Sequence, residues 1–364
     1  MATSNDITQA KILDIADPIV DVYPGYATTL SILLLHEHGR RWFVGNFLNT
    51  YCLRDKINNM IFADYVTFEK IHIASGYHCQ IENILSPSIN TYSFPVGWIG
   101  EKFHNVLNFI EELILENKYI HLYINRKYIG GFSTNRDRTH ETFIYGFNKS
   151  KEKIYFSDYF NDYRRTVCSY QELLNAFMNA GEGDIANEGI LQQLTRAKVN
   201  ILEFKNDFVY DFKERLQKNI ECYLQSKPIT DIEICIFDIE KNADYDEYYG
   251  INHYDALVLY LINRKENKGY IDQRFLHFFY THKLCLKYKI DFLIEQCDDD
   301  FKSLRSIAYE VADEALLIRN MAIKINTHFN DEKMVTLIEK LKALKPKEFN
   351  FVSKLYDMLS RMRF

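Results

Sequence analysis

A nine-residue apolar segment near the amino terminus constrains the fold of this chain more than any other feature. It follows the turn signal Pro24-Gly25-Tyr26 and runs from Ala27 to Leu35 as Ala-Thr-Thr-Leu-Ser-Ile-Leu-Leu-Leu. Wound as a helix, it is apolar on nearly every side, and such a helix is stable only when other elements cover it. The sequence therefore predicts a buried helix directly after the turn.

The predicted secondary structure changes about halfway along the chain. The first half mixes helix patterns, such as Phe103–Glu116, with strand patterns, such as Ile120–Ile124, whereas long helical patterns dominate the second half. Ala180–Asp184 is the most linker-like stretch, and we place a soft boundary there. We predict an α+β fold with one domain at residues 1–180 and a mostly helical packing and substrate-shaping domain at residues 185–364. The second-half predictions are strands at Val199–Leu202 and Ile232–Phe237, and helices at Asp211–Gln225, Tyr254–Arg264, Asp272–Gln296, Leu304–Phe329 and Asp331–Ala343.

Two residues with acid–base chemistry flank a predicted antiparallel hairpin. Strand patterns at Glu141–Phe147 and Lys153–Phe156 enclose a turn at Asn148–Ser150. His140 precedes the first strand and Asp158 follows the second, so antiparallel pairing brings both to the same end of the sheet. There a carboxylate can hold an imidazole in one tautomer, as the last two members of a Cys-His-Asp triad require. A histidine that caps a strand edge and an aspartate that opens a turn would show the same spacing.

The start of the buried helix is where such a triad would place its nucleophile. The helix dipole and the free backbone N–H groups there stabilise a thiolate and an oxyanion. Residue 27 is alanine, whose methyl group cannot attack a carbonyl. The chain is then either a natural pseudoenzyme or a variant in which alanine replaces the nucleophilic cysteine. We favour the variant as a hypothesis, because His140 and Asp158 would have little reason to remain together in a dead site.

Several short segments follow the pattern of one known family. They are Ala27–Leu30, Trp42–Phe43, Asn46–Cys52, His140–Phe147, Phe156–Asp158, Tyr249–Asn252 and Arg274–Lys283. In these segments the chain resembles the papain-like transferases of thiotemplated biosynthesis, which are related to the amino-terminal domain of butirosin acyltransferase. The resemblance spans most of the chain, and the His and Asp motifs are its more specific part. The family pattern has cysteine where this chain has Ala27, which puts the activity of this chain in doubt.

The resemblance implies a papain-like cysteine protease fold and an amide-forming reaction. A cysteine thiolate would take an acyl group from the phosphopantetheinyl thioester of an acyl or peptidyl carrier protein, and a small-molecule amine or diamine would receive it. His140 would deprotonate the amine while an oxyanion hole holds the tetrahedral intermediate. The resemblance implies no metal, and no cofactor besides the phosphopantetheine arm of the carrier protein.

Basic residues are in excess around His140, in a chain whose net charge is −6. Arg126, Lys127, Arg136 and Arg138 precede the histidine. Because carrier proteins are usually acidic, we predict that these four residues dock one through electrostatic steering. An ordinary solvated loop surface would have the same composition.

Three other features have both a functional and a simpler structural interpretation. Trp98 is predicted to line an acyl tunnel, although tryptophan is more often a core residue. Cys52, late in a predicted helix, is the alternative nucleophile, although a buried inert thiol is the commoner case. His36 and His38 have no third ligand at helical spacing, which argues against a metal site.

The cysteine spacing and the distribution of apolar residues indicate the cellular compartment. The seven cysteines are never spaced as Cys-X-X-Cys, which indicates reduced thiols and neither a disulfide framework nor a zinc site. Acidic and polar residues precede the first apolar run, and no apolar stretch reaches the length of a membrane span. We therefore expect a cytoplasmic protein that binds neither membrane nor nucleic acid.

The function predicted from these features is an amide-forming acyltransferase, and two alternatives stay open. A hydrolytic cysteine peptidase would cleave peptides without any carrier protein. A catalytically silent module would bind a carrier protein or a peptide and use no nucleophile at position 27.

Overall fold

The computed structural model describes residues 9–57, 59–66, 88–103, 105–132, 139–159, 162–180, 198–205, 210–229, 245–297 and 299–362. Its strands are β1 Ala10–Ile12, β2 Thr50–Asp55, β3 Ile61–Tyr65, β4 Ile89–Pro95, β5 Tyr119–Asn125, β6 Thr139–Asn148, β7 Lys153–Tyr159, β8 Tyr163–Ser169, β9 Lys198–Phe204 and β10 Tyr245–Tyr249. Its α-helices are α1 Pro24–Leu33, α2 Glu37–Asn46, α3 Val96–Phe103, α4 Val106–Leu115, α5 Tyr170–Met178, α6 Phe212–Gln225, α7 His253–Glu266, α8 Gln273–Gln296, α9 Lys302–Thr327 and α10 Asp331–Arg361. Antiparallel sheets and a helical carboxy-terminal half confirm the predicted α+β class.

The chain forms two compact units, and each is discontinuous in sequence. Of the described residues, the first unit takes those in 1–18, 27–36 and 87–208, and the second takes those in 19–26, 37–86 and 209–364. This division differs from the predicted boundary at residues 180–184. Strand β9 follows that boundary yet pairs with β4 and β5 of the first unit, while α2, β2 and β3 precede it and belong to the second.

An antiparallel sheet forms the centre of the first unit. Its order is β4-β9-β5-β6-β7-β8, and β1 pairs with the far end of β6. The β6–β7 hairpin is confirmed, with a register shift between Ile144 and Gly146. Helix α4 lies within the predicted segment 103–116, and α5 begins with the predicted capping box of Ser169 and Glu172.

Helix α1 is buried as predicted but begins earlier. Ala27, Leu30 and Leu33 have no exposed surface. The predicted turn forms the first turn of the helix instead, because proline is well suited to the first helical position, where its missing N–H would have no partner. Ala27 is therefore the fourth residue of the helix and not its first.

The second unit combines a three-stranded sheet of order β10-β2-β3 with long helices. Most predicted helices of this half are found within a few residues of their predicted ends. The exception is α10, which continues through Pro346 to Arg361 instead of ending at residue 343. Proline removes one helical hydrogen bond, but the buried side chains of Phe351 and Leu355 continue the apolar stripe beyond it and offset that loss.

Two other predictions concern the strand at residues 232–237 and the absence of membrane-spanning helices. The predicted strand Ile232–Phe237 lies outside the described residues. None of the helices in the described ranges combines the length and the apolar character needed to cross a lipid bilayer.

Candidate active site

Pairing of β6 with β7 brings the predicted histidine and aspartate into contact. His140 Nδ1 lies 2.9 Å from Asp158 Oδ1 and 3.0 Å from the main-chain carbonyl oxygen of Glu141. Both neighbours are acceptors, so the ring carries its proton on Nδ1 and leaves Nε2 as the basic nitrogen. The imidazole is 21% exposed, and in the described part of the chain Nε2 has no hydrogen-bond partner. The basic nitrogen of this partly exposed ring is therefore the one that points away from Asp158.

The Asp158 carboxylate is buried among hydrogen-bond donors. Thr142 Oγ1 donates to Oδ2 at 2.8 Å, the main-chain N–H of Tyr159 donates to Oδ1 at 2.6 Å, and the Arg126 guanidinium bonds both oxygens. Burial raises the pKa of Asp158, but the charges and hydrogen bonds of His140 and Arg126 outweigh burial and hold the pKa below its ordinary value. The carboxylate is therefore ionised at neutral pH and holds the His140 ring through its Nδ1–H.

Arg126 has a different environment from the one predicted for carrier docking. Its side chain is 8% exposed, pairs with Asp158 and lies 5.1 Å from the centroid of the Phe132 ring. A guanidinium held in this way inside the first unit supports the carboxylate and is not presented to a partner. Lys127, the next residue, is exposed. Arg136 and Arg138 lie outside the described residues.

Helix α1 reaches this end of the sheet through Tyr163. The Tyr163 side chain lies beside those of Thr28 and Ser31 on the helix, although its hydroxyl makes no hydrogen bond of good geometry with either. The ring of Tyr163 lies 5.2 Å from that of Tyr159, which in turn lies 6.0 Å from the ring of His140. This series of contacts puts α1 at the end of the sheet that carries the His140–Asp158 pair.

Strand alternation shows from which side α1 approaches. By register, His140, Thr142 and Asp158 share one face of the sheet, whereas Ser157 and Tyr163 share the other. Helix α1 therefore borders the face opposite Asp158. Ala27, on this helix, is fully buried.

Trp98 lies on α3 in an aromatic cluster. It is half-buried, its ring stacks on Phe94 at 4.8 Å, and it meets Phe103 edge-on at 5.6 Å. Phe94 belongs to β4, which β9 and β5 separate from β6 in the sheet. The structure does not bring Trp98 to the His140–Asp158 pair, and its tunnel role stays a prediction.

The remaining candidates, Cys52 and His36, lie in surroundings that favour a structural role. Cys52 lies on strand β2, not on a helix, and burial raises the pKa of its thiol far above the ordinary value, which is typical of an inert cysteine. The ring of His36 stacks on Phe204 at 3.6 Å. The described ranges contain no cluster of three or more His, Cys, Asp or Glu side chains arranged to hold a metal ion.

A second histidine–carboxylate pair, which sequence reasoning missed, lies on β5 and β6. Tyr123 donates from its hydroxyl to Glu141 Oε1 at 2.8 Å, and His121 Nε2 lies 3.4 Å from Glu141 Oε2. All three side chains are buried. Burial raises the pKa of Glu141, but His121, His140 and the Tyr123 hydroxyl together hold it below its ordinary value. The available signal was the alternation of polar His121 and Tyr123 with isoleucine and leucine along one strand.

A third polar cluster is buried in the second unit. Lys283 Nζ lies 2.7 Å from Glu348 Oε2, 3.0 Å from His282 Nδ1 and 3.1 Å from His253 Nε2. The four side chains are at most 2% exposed. Two tyrosine hydroxyls also donate to the carboxylate at 2.5 Å, those of Tyr223 and Tyr254.

Main-chain carbonyls fix the tautomers of both histidines in this cluster. His253 Nδ1 donates to the carbonyl oxygen of Gly250 and His282 Nε2 donates to that of Leu48, each at 2.7 Å. The opposite nitrogens therefore accept from Lys283, and its three ammonium protons meet three acceptors. Burial lowers the pKa of both histidines well below the ordinary value and that of Lys283 to about 8. Because every partner is supplied by the chain, this cluster stabilises structure and leaves no group for a substrate.

Comparison with known proteins does not assign a family. No family model matches the chain, and no curated protein sequence matches it. Function is therefore inferred from the geometry and from the resemblance in the short segments.

Proposed function

We propose that the first unit has a papain-like fold and that, with cysteine at position 27, it is an acyltransferase that forms amides from carrier-protein thioesters. The observation that carries the proposal is the 2.9 Å contact between His140 Nδ1 and the buried, ionised Asp158. A braced imidazole with an open Nε2 is what general-base catalysis of acyl transfer requires. Helix α1 at the same end of the sheet supports the location of the nucleophile.

The proposed reaction has two steps. A thiolate at position 27, paired with protonated His140, attacks the thioester carbonyl of the acyl carrier, and the phosphopantetheine thiol leaves with the proton that His140 gives up. The amine then attacks the new enzyme thioester, His140 takes a proton from the amine nitrogen, and the cysteine leaves as thiolate. Asp158 stabilises the imidazolium that forms. Alanine at position 27 blocks the first step and so the whole reaction.

The direct test restores the nucleophile. Ala27→Cys is incubated with acyl-loaded carrier protein, and intact mass spectrometry followed by peptide mapping locates any acyl adduct. We expect one acyl group on residue 27, and a much slower appearance in Ala27→Cys/His140→Ala, with the Ala27 chain as the unreactive control. An Ala27→Cys protein that stays unacylated, or that carries the acyl group only on another cysteine, would count against the proposal.

One observation favours a silent binding module as second candidate. Residue 27 is an alanine with no exposed surface, so this chain offers no nucleophile at that position. Carrier binding by both the Ala27 and the Ala27→Cys chains, without an adduct on either, would support this candidate. Peptide hydrolysis by Ala27→Cys in the absence of any carrier would support a peptidase instead.

A further inference from the structure

The glutamate cluster, defined as His121, Tyr123 and Glu141, contains buried polar atoms without partners. Neither ring nitrogen of His121 nor Oε2 of Glu141 makes a hydrogen bond within the described residues, and Nε2 and Oε2 are 3.4 Å apart without hydrogen-bond geometry. His121 is 2% exposed and Glu141 is 9% exposed. Buried polar groups in native proteins nearly always have a partner, so these three atoms indicate one that the described residues do not supply.

The second unit shows which partner suits such a set of groups. There a buried glutamate accepts from tyrosine hydroxyls, and with two imidazoles it surrounds the ammonium of Lys283. The glutamate cluster repeats this chemistry, with Tyr123 donating to Glu141 beside the ring of His121. Among the described residues, no lysine or arginine contacts Glu141, so the place of the ammonium has no occupant from the described chain.

We propose that the glutamate cluster binds the primary ammonium group of a small-molecule ligand, the charged end of a diamine whose other, neutral nitrogen accepts the acyl group. Glu141 Oε2 and an imidazole nitrogen of His121 are acceptors for two of the three protons of an alkylammonium ion. The ionised carboxylate repels anions, and one carboxylate and one imidazole are fewer ligands than a bound metal ion needs. This inference rests on the proposed function for the role of the amine.

The position of Glu141 in β6 fixes the face of the sheet on which the cluster lies. Glu141 follows His140 directly in β6, so its side chain leaves the opposite face of the strand. Register puts His121, Glu141 and Ser157 on one face of the sheet, which is the face that helix α1 borders. An ammonium held there lies on the face that helix α1 borders, whereas the imidazole of His140, one residue along β6, lies on the other face.

Binding can be tested without any acyl transfer. Isothermal titration calorimetry of the Ala27 chain at pH 7 uses n-butylammonium as the probe, with n-butanol and butyrate as uncharged and anionic analogues. We expect the ammonium alone to bind, and Glu141→Gln to weaken it roughly tenfold or more, since one charge-assisted hydrogen bond is lost. Tyr123→Phe should weaken it less. Glu111→Gln is the matched control, because Glu111 is equally buried but already bound by Lys149 and Tyr170.

Each outcome bears on the inference. Absence of ammonium binding at millimolar concentration, or equal binding by Glu141→Gln and the parent chain, overturns it and leaves water as the partner of the cluster. Equal binding of butanol overturns the charge argument. Circular dichroism confirms that each variant is folded. If Glu141→Gln is unfolded, Tyr123→Phe tests the inference in its place, and equal ammonium binding by Tyr123→Phe and the parent chain then overturns it. Acyl loading of Ala27→Cys is measured separately, so failure of the proposed function is distinguishable from failure of the amine site.

Discussion

Lys283→Met should destabilise the second unit by about 3.5–5 kcal/mol. The change removes one hydrogen bond to the Glu348 carboxylate, worth about 1.5–3 kcal/mol, and two to the imidazoles of His253 and His282, worth about 1 kcal/mol each. It also leaves a carboxylate buried without its counter-ion, and the loss of one partner of a buried pair costs about 3–5 kcal/mol. The sum over the three lost hydrogen bonds and the cost of an unpaired buried carboxylate are two estimates of the same loss, so they agree and are not added together.

The two tryptophans provide the assay. Trp42 is fully buried in the second unit and Trp98 belongs to the first, so a Trp98→Phe background gives fluorescence that reports on the second unit. Urea titrations in that background measure the free energy of unfolding with and without Lys283→Met. Lys347→Met is the control, because Lys347 is a partly exposed lysine that pairs with Glu310 and Glu314 and should contribute under about 1 kcal/mol.

The result that would refute this reasoning is specific. A loss of less than about 1 kcal/mol in Lys283→Met, no larger than that of Lys347→Met, would mean that the three acceptors contribute little to the second unit. Lys283→Met/Glu348→Gln should recover part of the loss, since the uncompensated charge is gone.

Two further buried charges give measurable effects on stability. Burial lowers the pKa of Lys289 to about 7 from 10.5, so the unfolded chain holds more protons between these pH values. The free energy of unfolding should therefore rise with pH in this window by up to about 1.4 kcal/mol per pH unit, and urea titrations of Lys289→Met at pH 7 and pH 9 should lack that rise. Asp158→Asn should cost about 3–5 kcal/mol at pH 7, because it leaves the Arg126 guanidinium buried without this carboxylate. The pKa of Asp158 lies below its ordinary 3.8, so the difference from the parent chain should persist in urea titrations at pH 5 and disappear only below that pKa.

Elements with a strong local pattern were predicted well from the sequence. Helix α4, the β6–β7 hairpin and the capping box at Ser169 each depend on residues close in sequence. The two units could not be predicted in this way, because β9 pairs with β4 across about a hundred residues of chain. The end of helix α10 was mispredicted for a similar reason. The apolar stripe beyond Pro346 indicates a continuing helix only when the surface that buries the stripe is known.

The residues of the candidate site also differ in how well the sequence predicted their contacts. His140 and Asp158 were predicted together because one hairpin joins their strands, and the structure brings them into contact. The buried pairing of Arg126 with Asp158 was missed, since a basic residue after a strand is more often exposed. Lys283 and Glu348 were missed for a stronger reason, because they are 65 residues apart and lie on two helices whose packing the sequence does not show.

Two of the buried glutamates, Glu141 and Glu348, allow a comparison of cost within one chain. In the second unit Glu348 has its ammonium, and its negative charge is compensated. In the first unit no described residue donates to Glu141 Oε2 or partners the nitrogens of the adjacent His121 ring, and each such unpaired group costs about 1–3 kcal/mol. Valine or leucine at position 141 would avoid that cost and suit a strand position facing the interior. Retaining the carboxylate is understandable if a bound ammonium returns the missing hydrogen bonds, because a ligand that binds only the folded state adds its binding free energy to stability.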